Sequence, residues 1–221
     1  MLNFALKLIA LMQFFEIYSK IKQINAENLP GFEAQAKLSP PYRQKLSLED
    51  LKTYKPKMSA VMLLVYNKNN IPHIVLTQRQ EYKGVHSRQI SFPGGQTEKQ
   101  DKNLLHTALR ETYEEIGVSI TADKVLKEIT WLYVPPSNFL IYPYVALVDK
   151  TLNFNKDDVE VKSILEIPLT DFMDKSNLTN FDYYVKSQDV SINCPCFNIN
   201  GHIIWGATAM ILNEFLTILE Q

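Results

Sequence analysis

The spacing of apolar and polar positions changes several times along the chain, and each change predicts an element. The start, MLNFALKLIALMQFF, is apolar but interrupted by Lys7 and Gln13. Its longest unbroken apolar run, Leu8–Met12, is far short of the ~20 residues a membrane span needs. Glu16, Lys20 and Lys22 arrive where a cleavage site would be, so a terminal amphipathic helix is expected rather than a signal peptide. Met12 could also serve as the start. Residues 26–57 carry Pro30, Gly31, Pro40, Pro41 and Pro56 among polar stretches and read as an extended arm, with a helical turn near Leu48–Leu51. Ala60–Tyr66 and Pro72–Gln78 are β-type runs flanking a polar turn at Asn67–Asn70, so two antiparallel strands are expected. Residues 103–116 repeat with helical period: Leu104, Leu105, Ala108, Leu109, Thr112 and Ile116 share one side. Further strands are expected at about 125–133 and 139–148, separated by a loop at Val134–Asn138, where paired prolines cannot continue a ladder. Asp157–Leu165 reads as a short acidic helix, and Ile167–Asp174 as a turn into another. Tyr183–Ile199 reads as two short strands around Asn193–Pro195, and Trp205–Leu219 as an amphipathic helix uncharged until Glu214. The alternation implies a mixed α/β (α+β) architecture with helices packed on a central mixed sheet. The expected division is an N-terminal helix and arm over 1–56, then a domain over 57–221.

Composition narrows the class. The 221 residues are 46% hydrophobic and 21% charged, with net charge −1 and a pI near 6.4. A core of useful size is available without disulfides or a structural metal. The balance supplies no general attraction to nucleic acid or acidic membranes. A local basic pocket for a small anion remains open. Cys194 and Cys196 flank Pro195, and no second pair exists to complete a zinc site, which points to a reduced, cytoplasmic setting. The apolar first helix and uncharged last helix could supply a homodimer surface or complete the monomer core.

Candidate chemistry gathers where the glycines do. Of the seven in the chain, Gly94, Gly95 and Gly117 fall inside residues 94–118. Between them stands Arg110-Glu111-Thr112-Tyr113-Glu114-Glu115. Glu111, Glu114 and Glu115 project from one helix face, where like charges repel unless something cationic sits among them. Arg110, four residues before Glu114, can neutralise one carboxylate. The others present hard oxygen ligands on a rigid element, the set Mg²⁺ or Mn²⁺ takes when waters and substrate phosphates complete the coordination. A solvated acidic face is the plain alternative. The glycine pair before the helix and Gly117 at its stop make the loop, helix and terminus one device.

This window resembles the Nudix box, G-x5-E-x7-R-E-U-x-E-E-x-G-U with U apolar. Arg110, Glu111, Glu114, Glu115, Gly117 and Val118 match its second half. The first half departs: Gly95 to Arg110 is one residue longer, Asp101 aligns with the first glutamate, and Thr112 takes an apolar position. Asp101 is expected to be a helix N-cap. Upstream, Leu76-Thr77-Gln78-Arg79 and His86-Ser87-Arg88-Gln89-Ile90-Ser91-Phe92-Pro93-Gly94-Gly95 resemble the L-T-x-R and H-x-G-Q-[IV]-[SA]-F-P-G-G lead-in of coenzyme A pyrophosphatases of that superfamily, with Arg88 in place of a glycine. The resemblance extends through Pro135–Phe139 and Gly201–Ala209 and covers roughly residues 28–216. It implies the Nudix fold, a sheet sandwiched between helices, and hydrolysis of the coenzyme A diphosphate to 4′-phosphopantetheine and adenosine 3′,5′-bisphosphate with Mg²⁺ or Mn²⁺. Glu111 and Glu115 would hold the metal, and Glu114 would join them or orient the attacking water; Arg110 completes the catalytic set. Arg79, Lys83 and Arg88 are candidate phosphate cations. His86, Gly94 and Gly95 belong to the substrate loop, and Glu160 is a candidate base. Phe92 and Trp205 are expected in the core, while His73, His106 and His202 lack ligand spacing. Two other readings stay open: a Nudix hydrolase of another nucleoside diphosphate derivative such as ADP-ribose, and a Nudix-fold binding module without catalysis.

Overall fold

A computed structural model describes residues 14–41, 48–81, 89–185 and 189–221. Strands β1 (Lys57–Lys68) and β2 (Ile71–Arg79) form the expected hairpin. Its turn residues Asn69 and Asn70 both take positive φ, 54° and 67°, which asparagine tolerates better than other side-chain-bearing residues. Strands β3 (Ile90–Ser91) and β4 (Gly94–Gln96) pair antiparallel with β2 and β1 respectively. Strands β5 (Val125–Glu128) and β6 (Leu132–Val134) flank β7 (Phe139–Val148), which runs parallel to β1 from Lys57↔Phe139 to Tyr66↔Val148. Strand β8 (Val161–Pro168) pairs with β2. A second, three-stranded sheet has the order β11 (His202–Trp205), β10 (Val190–Ile199), β9 (Leu178–Val185).

The helices sandwich the larger, mixed sheet. Helix α1 spans residues 14–23, followed by α2 (Gly31–Ala36), α3 (Leu48–Tyr54), α4 (Leu104–Ile116), α5 (Leu169–Met173) and α6 (Gly206–Glu220). Alternation along β1 explains its near-continuous apolar run. Met62, Leu64 and Tyr66 join the core with Ala108 and Ile116 of α4. Leu63 and Val65 join the opposite core with Phe14, Ile17 and Ile21 of α1 and with α6. No described helix is long and apolar enough to cross a membrane.

Several expectations are corrected. Among its described residues, the stretch 26–57 is not an extended arm: Pro30 (φ −58°) leads into α2, whose Gln35 is fully buried and donates to Glu214 Oε2 (2.8 Å) and Thr130 O (2.9 Å). These long-range hydrogen bonds supply what local composition does not. Asp157–Leu165 is a turn followed by β8, because Val161, Ile164 and Leu165 pair with β2 while the acidic residues stay in the turn. The strand expected over 125–133 is two, β5 and β6, and the 134–138 loop closes with a 3-10 turn at Pro135–Ser137. Asn193–Pro195 lies inside β10 rather than between strands. Strand β11 pairs with β10 only from Cys196 on, so Pro195 has β9 as its sole strand neighbour among the described residues. Helix α6 is not amphipathic: Met210, Ile211, Leu212, Phe215, Ile218 and Glu214 itself are all buried. With α1 it completes the monomer core.

Candidate active site

Helix α4 begins where Asn103 caps it, its side chain accepting from the His106 N–H at 2.8 Å. Asp101 is therefore not the N-cap. Its carboxylate is sealed in, with the side chain 1% exposed, and grips Arg110 in two places: Nε to Oδ1 at 3.0 Å and Nη2 to Oδ2 at 2.9 Å. Thr107 Oγ1 and the Glu98 N–H donate to it as well, each at 2.9 Å. The Arg110 guanidinium holds this carboxyl far below the usual carboxylate range. So fixed, Arg110 Nη1 donates to Glu111 Oε1 (3.0 Å) and Glu114 Oε2 (2.7 Å), and Nη2 donates to Gln96 O (3.2 Å). One guanidinium thus braces two box carboxylates and the loop before the helix.

The loop presses onto the helix. A Cβ on Gly95 would stand 2.4 Å from the Glu111 carboxyl and would push that carboxyl off the position Arg110 gives it. At the other end Gly117 takes φ 70° and donates its N–H to Tyr113 O at 2.8 Å. Asn155 and Asp157 then donate to the free carbonyls of Ile116 (3.0 Å) and Glu115 (3.1 Å), docking the 152–160 segment on the helix terminus. On its far side Gln80 N donates to Glu160 O at 2.9 Å. The clamp leaves Glu160 exposed, with its charge felt by both Glu111 and Glu115.

Glu115 is 3% exposed. Thr77 Oγ1 donates to its Oε2 at 3.3 Å, and Arg79 Nη2 stands 3.8 Å from its Oε1 and 3.5 Å from Gly94 O. Burial pushes Glu115 up from 4.5 to about 7, against the pull of Arg79 and the Gly94 N–H, with Glu111 and Glu160 adding to the rise. Burial also raises Glu111, although Arg110 opposes it. Glu114 is more exposed and leans on Arg110. Among the described residues no three His, Cys, Asp or Glu side chains close into a ready-made metal cage. Mg²⁺ and Mn²⁺ take one or two protein carboxylates and leave room for waters and phosphates. Glu111 and Glu115, both desolvated, are carboxylate donors that such a cation would satisfy.

The structure therefore brings Arg79, Gly94, Gly95, Arg110, Glu111, Glu114, Glu115 and Glu160 together. Lys83, His86 and Arg88 lie outside the described residues. Phe92 is in the core as expected. Trp205 is not: it is half-buried beside Phe181 and Tyr183. His106 is tied to Asp101 and His73 to Ile71 O. Sequence reasoning missed the anchoring of Arg110 by Asp101; the alignment of Asp101 with an acidic box position was the available signal.

Fold and site together define a hydrolase that works on phosphate-bearing substrates from a carboxylate helix. The NUDIX domain model matches residues 56–187, more than half the chain, and the chain belongs to that family. It is a Nudix hydrolase, a class that acts on nucleoside diphosphate derivatives and generally requires a divalent metal such as Mg²⁺ or Mn²⁺. Relatives include proteins described as uncharacterized Nudix hydrolase NudL. The one from Yersinia enterocolitica is 32% identical over 143 residues, covering 65% of this chain and 72% of its own length. The one from Photorhabdus laumondii is 30% identical over 156 residues, covering 71% and 81%. Among solved structures, a MutT/nudix family protein from Enterococcus faecalis superposes with a TM-score of 0.51 at 17% identity, over 78% of this chain and 69% of that one. This likeness concerns the fold.

Proposed function

We propose that this Nudix hydrolase cleaves the diphosphate of coenzyme A or its derivatives, giving 4′-phosphopantetheine and adenosine 3′,5′-bisphosphate. The observation that carries the reading is the contact between the L-T-x-R element and the box. Thr77 donates to Glu115, and Arg79 lies between Glu115 and the Gly94 carbonyl. The segment that resembles coenzyme A pyrophosphatases is thus built into the site rather than remote from it. Glu111 and Glu115 would hold the cation, with Glu114 beside them. A bound Mg²⁺ or Mn²⁺ supplies charge neutralisation on the diphosphate and a more acidic water. Arg110 keeps Glu111 and Glu114 in place, and Glu160, whose charge both Glu111 and Glu115 feel, would be the candidate proton acceptor. Arg79 would take a phosphate oxygen; His86 and Arg88 are assigned to the substrate loop from sequence alone. The catalytic unit would be 57–221, with 1–56 attached to it. Two free, buried thiols, Cys194 and Cys196, support a reducing, cytoplasmic setting.

The test compares kcat/KM for coenzyme A and dephospho-coenzyme A. An arginine contact to the 3′-phosphate is worth roughly 1.5–3 kcal/mol, so coenzyme A should lead by about ten- to a hundredfold. The Arg79→Ala variant should narrow that gap if Arg79 makes the contact. Equal rates on the two substrates, in wild type and variant alike, would remove the 3′-phosphate from recognition, and failure to hydrolyse either would remove the coenzyme A reading.

A further inference from the structure

The second sheet has two unlike faces. Phe197, Ile199 and Ile204 join the core on the α6 side, together with Ile90 of β3. Side chains alternate along a strand, so Trp205 and its partner Cys196 turn the other way, as do Cys194 and Ile192 with their partners Phe181 and Tyr183. The three rings pack together on that face. Tyr183 and Trp205 have centroids 4.5 Å apart at 39°, and Phe181 and Trp205 are 5.1 Å apart at 68°. All three remain partly exposed, while the two thiols on the same face are buried.

The second sheet meets the larger one at β3. Strand β11 lies beside β3, and Thr208 Oγ1, three residues beyond Trp205, donates to Ile90 O at 2.9 Å. Since Ile90 points to the α6 core, Ser91 points the opposite way, the side on which its partner Thr77 reaches Glu115. The Ser91 hydroxyl is buried and has no hydrogen-bond partner. Strand β11 has no ladder with β3, but its proximity to β3 and the Thr208–Ile90 hydrogen bond bring Trp205 to the edge of the larger sheet, where Ser91 pairs with Thr77.

We infer that Phe181, Tyr183 and Trp205 form a stacking platform for the purine base of the substrate. The inference rests on the proposed function for the substrate being a nucleoside diphosphate derivative. A purine fits this surface better than an aliphatic arm. The rings offer faces for offset stacking, and the Tyr183 hydroxyl and the Trp205 N–H are polar groups that ring nitrogens can meet.

The chain has two tryptophans, and the other, Trp131, packs on Phe32. In the Trp131→Phe protein the emission of Trp205 can be read alone, without metal or turnover. Titration with ADP should quench it saturably, and inorganic pyrophosphate should not. In steady-state assays Trp205→Leu and Tyr183→Leu should each raise KM for coenzyme A about tenfold, with kcat within about twofold. No quenching by ADP, or equal quenching by pyrophosphate, overturns the platform, as does an unchanged KM in both folded variants. If the leucine variants lose their melting transition, the quenching experiment decides alone. Absence of hydrolysis across all nucleoside diphosphates would overturn the proposed function, whereas the ADP titration would still test the base site by itself.

Discussion

At the scale of single residues, Glu115 carries a charge its surroundings disfavour. Burial raises it from 4.5 to about 7, so in the metal-free protein its proton stabilises the fold fully below pH about 4.5. That contribution is lost as the pH rises towards 7, at a cost of up to about 3 kcal/mol. Urea denaturation of metal-free wild type and Glu115→Gln should therefore diverge between pH about 5 and 8, the wild type losing stability relative to the variant. Added Mn²⁺ should restore the wild type at the upper end. Parallel curves would mean that Glu115 is not desolvated. Asp101 behaves oppositely: its lowered value stabilises the fold above the ordinary carboxylate range and the benefit disappears on acidification. Breaking its buried pair with Arg110 through Asp101→Asn should cost about 3 kcal/mol and lower turnover, since Glu111 and Glu114 lose their brace. Thermal melting and kcat of that variant check both parts. Sequence pattern alone could not separate Asp101 from Asn103, because either residue type caps a helix and the two stand only two positions apart. Burial of Arg110 decided between them.

Among the elements, α4 and its terminus were readable because three local rules agree there: apolar period, carboxylate spacing and a glycine stop. The hairpin of β1 and β2 was readable for the same reason. Residues 157–165 were not, since a short run that mixes Asp and Glu with Val, Ile and Leu fits either period, and pairing with β2 is a long-range fact. What that segment does was also hidden. It satisfies the last carbonyls of α4 through the close approach of Asn155 to Gly117, and Glu160, the candidate base, follows a few residues on. Gly117→Ala would place a Cβ 2.7 Å from Asn155 O at φ 70°. The expected result is a loss of roughly 1–3 kcal/mol in stability, with a drop in kcat as Glu160 moves. A variant with unchanged melting temperature and unchanged kcat would show that the clamp positions nothing.

For the molecule as a whole, the two-sided burial of the sheet explains why family and reaction were legible while the arm was not. The catalytic device occupies one continuous window, 94–118, whereas α1 and α2 owe their structure to contacts with α6 nearly two hundred residues away, such as Lys20 Nζ to Leu219 O and Gln35 Nε2 to Glu214 Oε2. Trp205 was misassigned for a related reason. A tryptophan in a β-rich stretch is usually core, and only the parity of the second sheet turns it away from the α6 side. The most direct measurement of the central claim is mass spectrometry of the products formed by the whole chain with Mg²⁺ or Mn²⁺, offered coenzyme A and ADP-ribose side by side. The account predicts adenosine 3′,5′-bisphosphate and 4′-phosphopantetheine, formed only with the metal and at least about a hundredfold more slowly by Glu111→Gln or Glu115→Gln. Hydrolysis of ADP-ribose with coenzyme A left intact, or full activity in those variants, would contradict it.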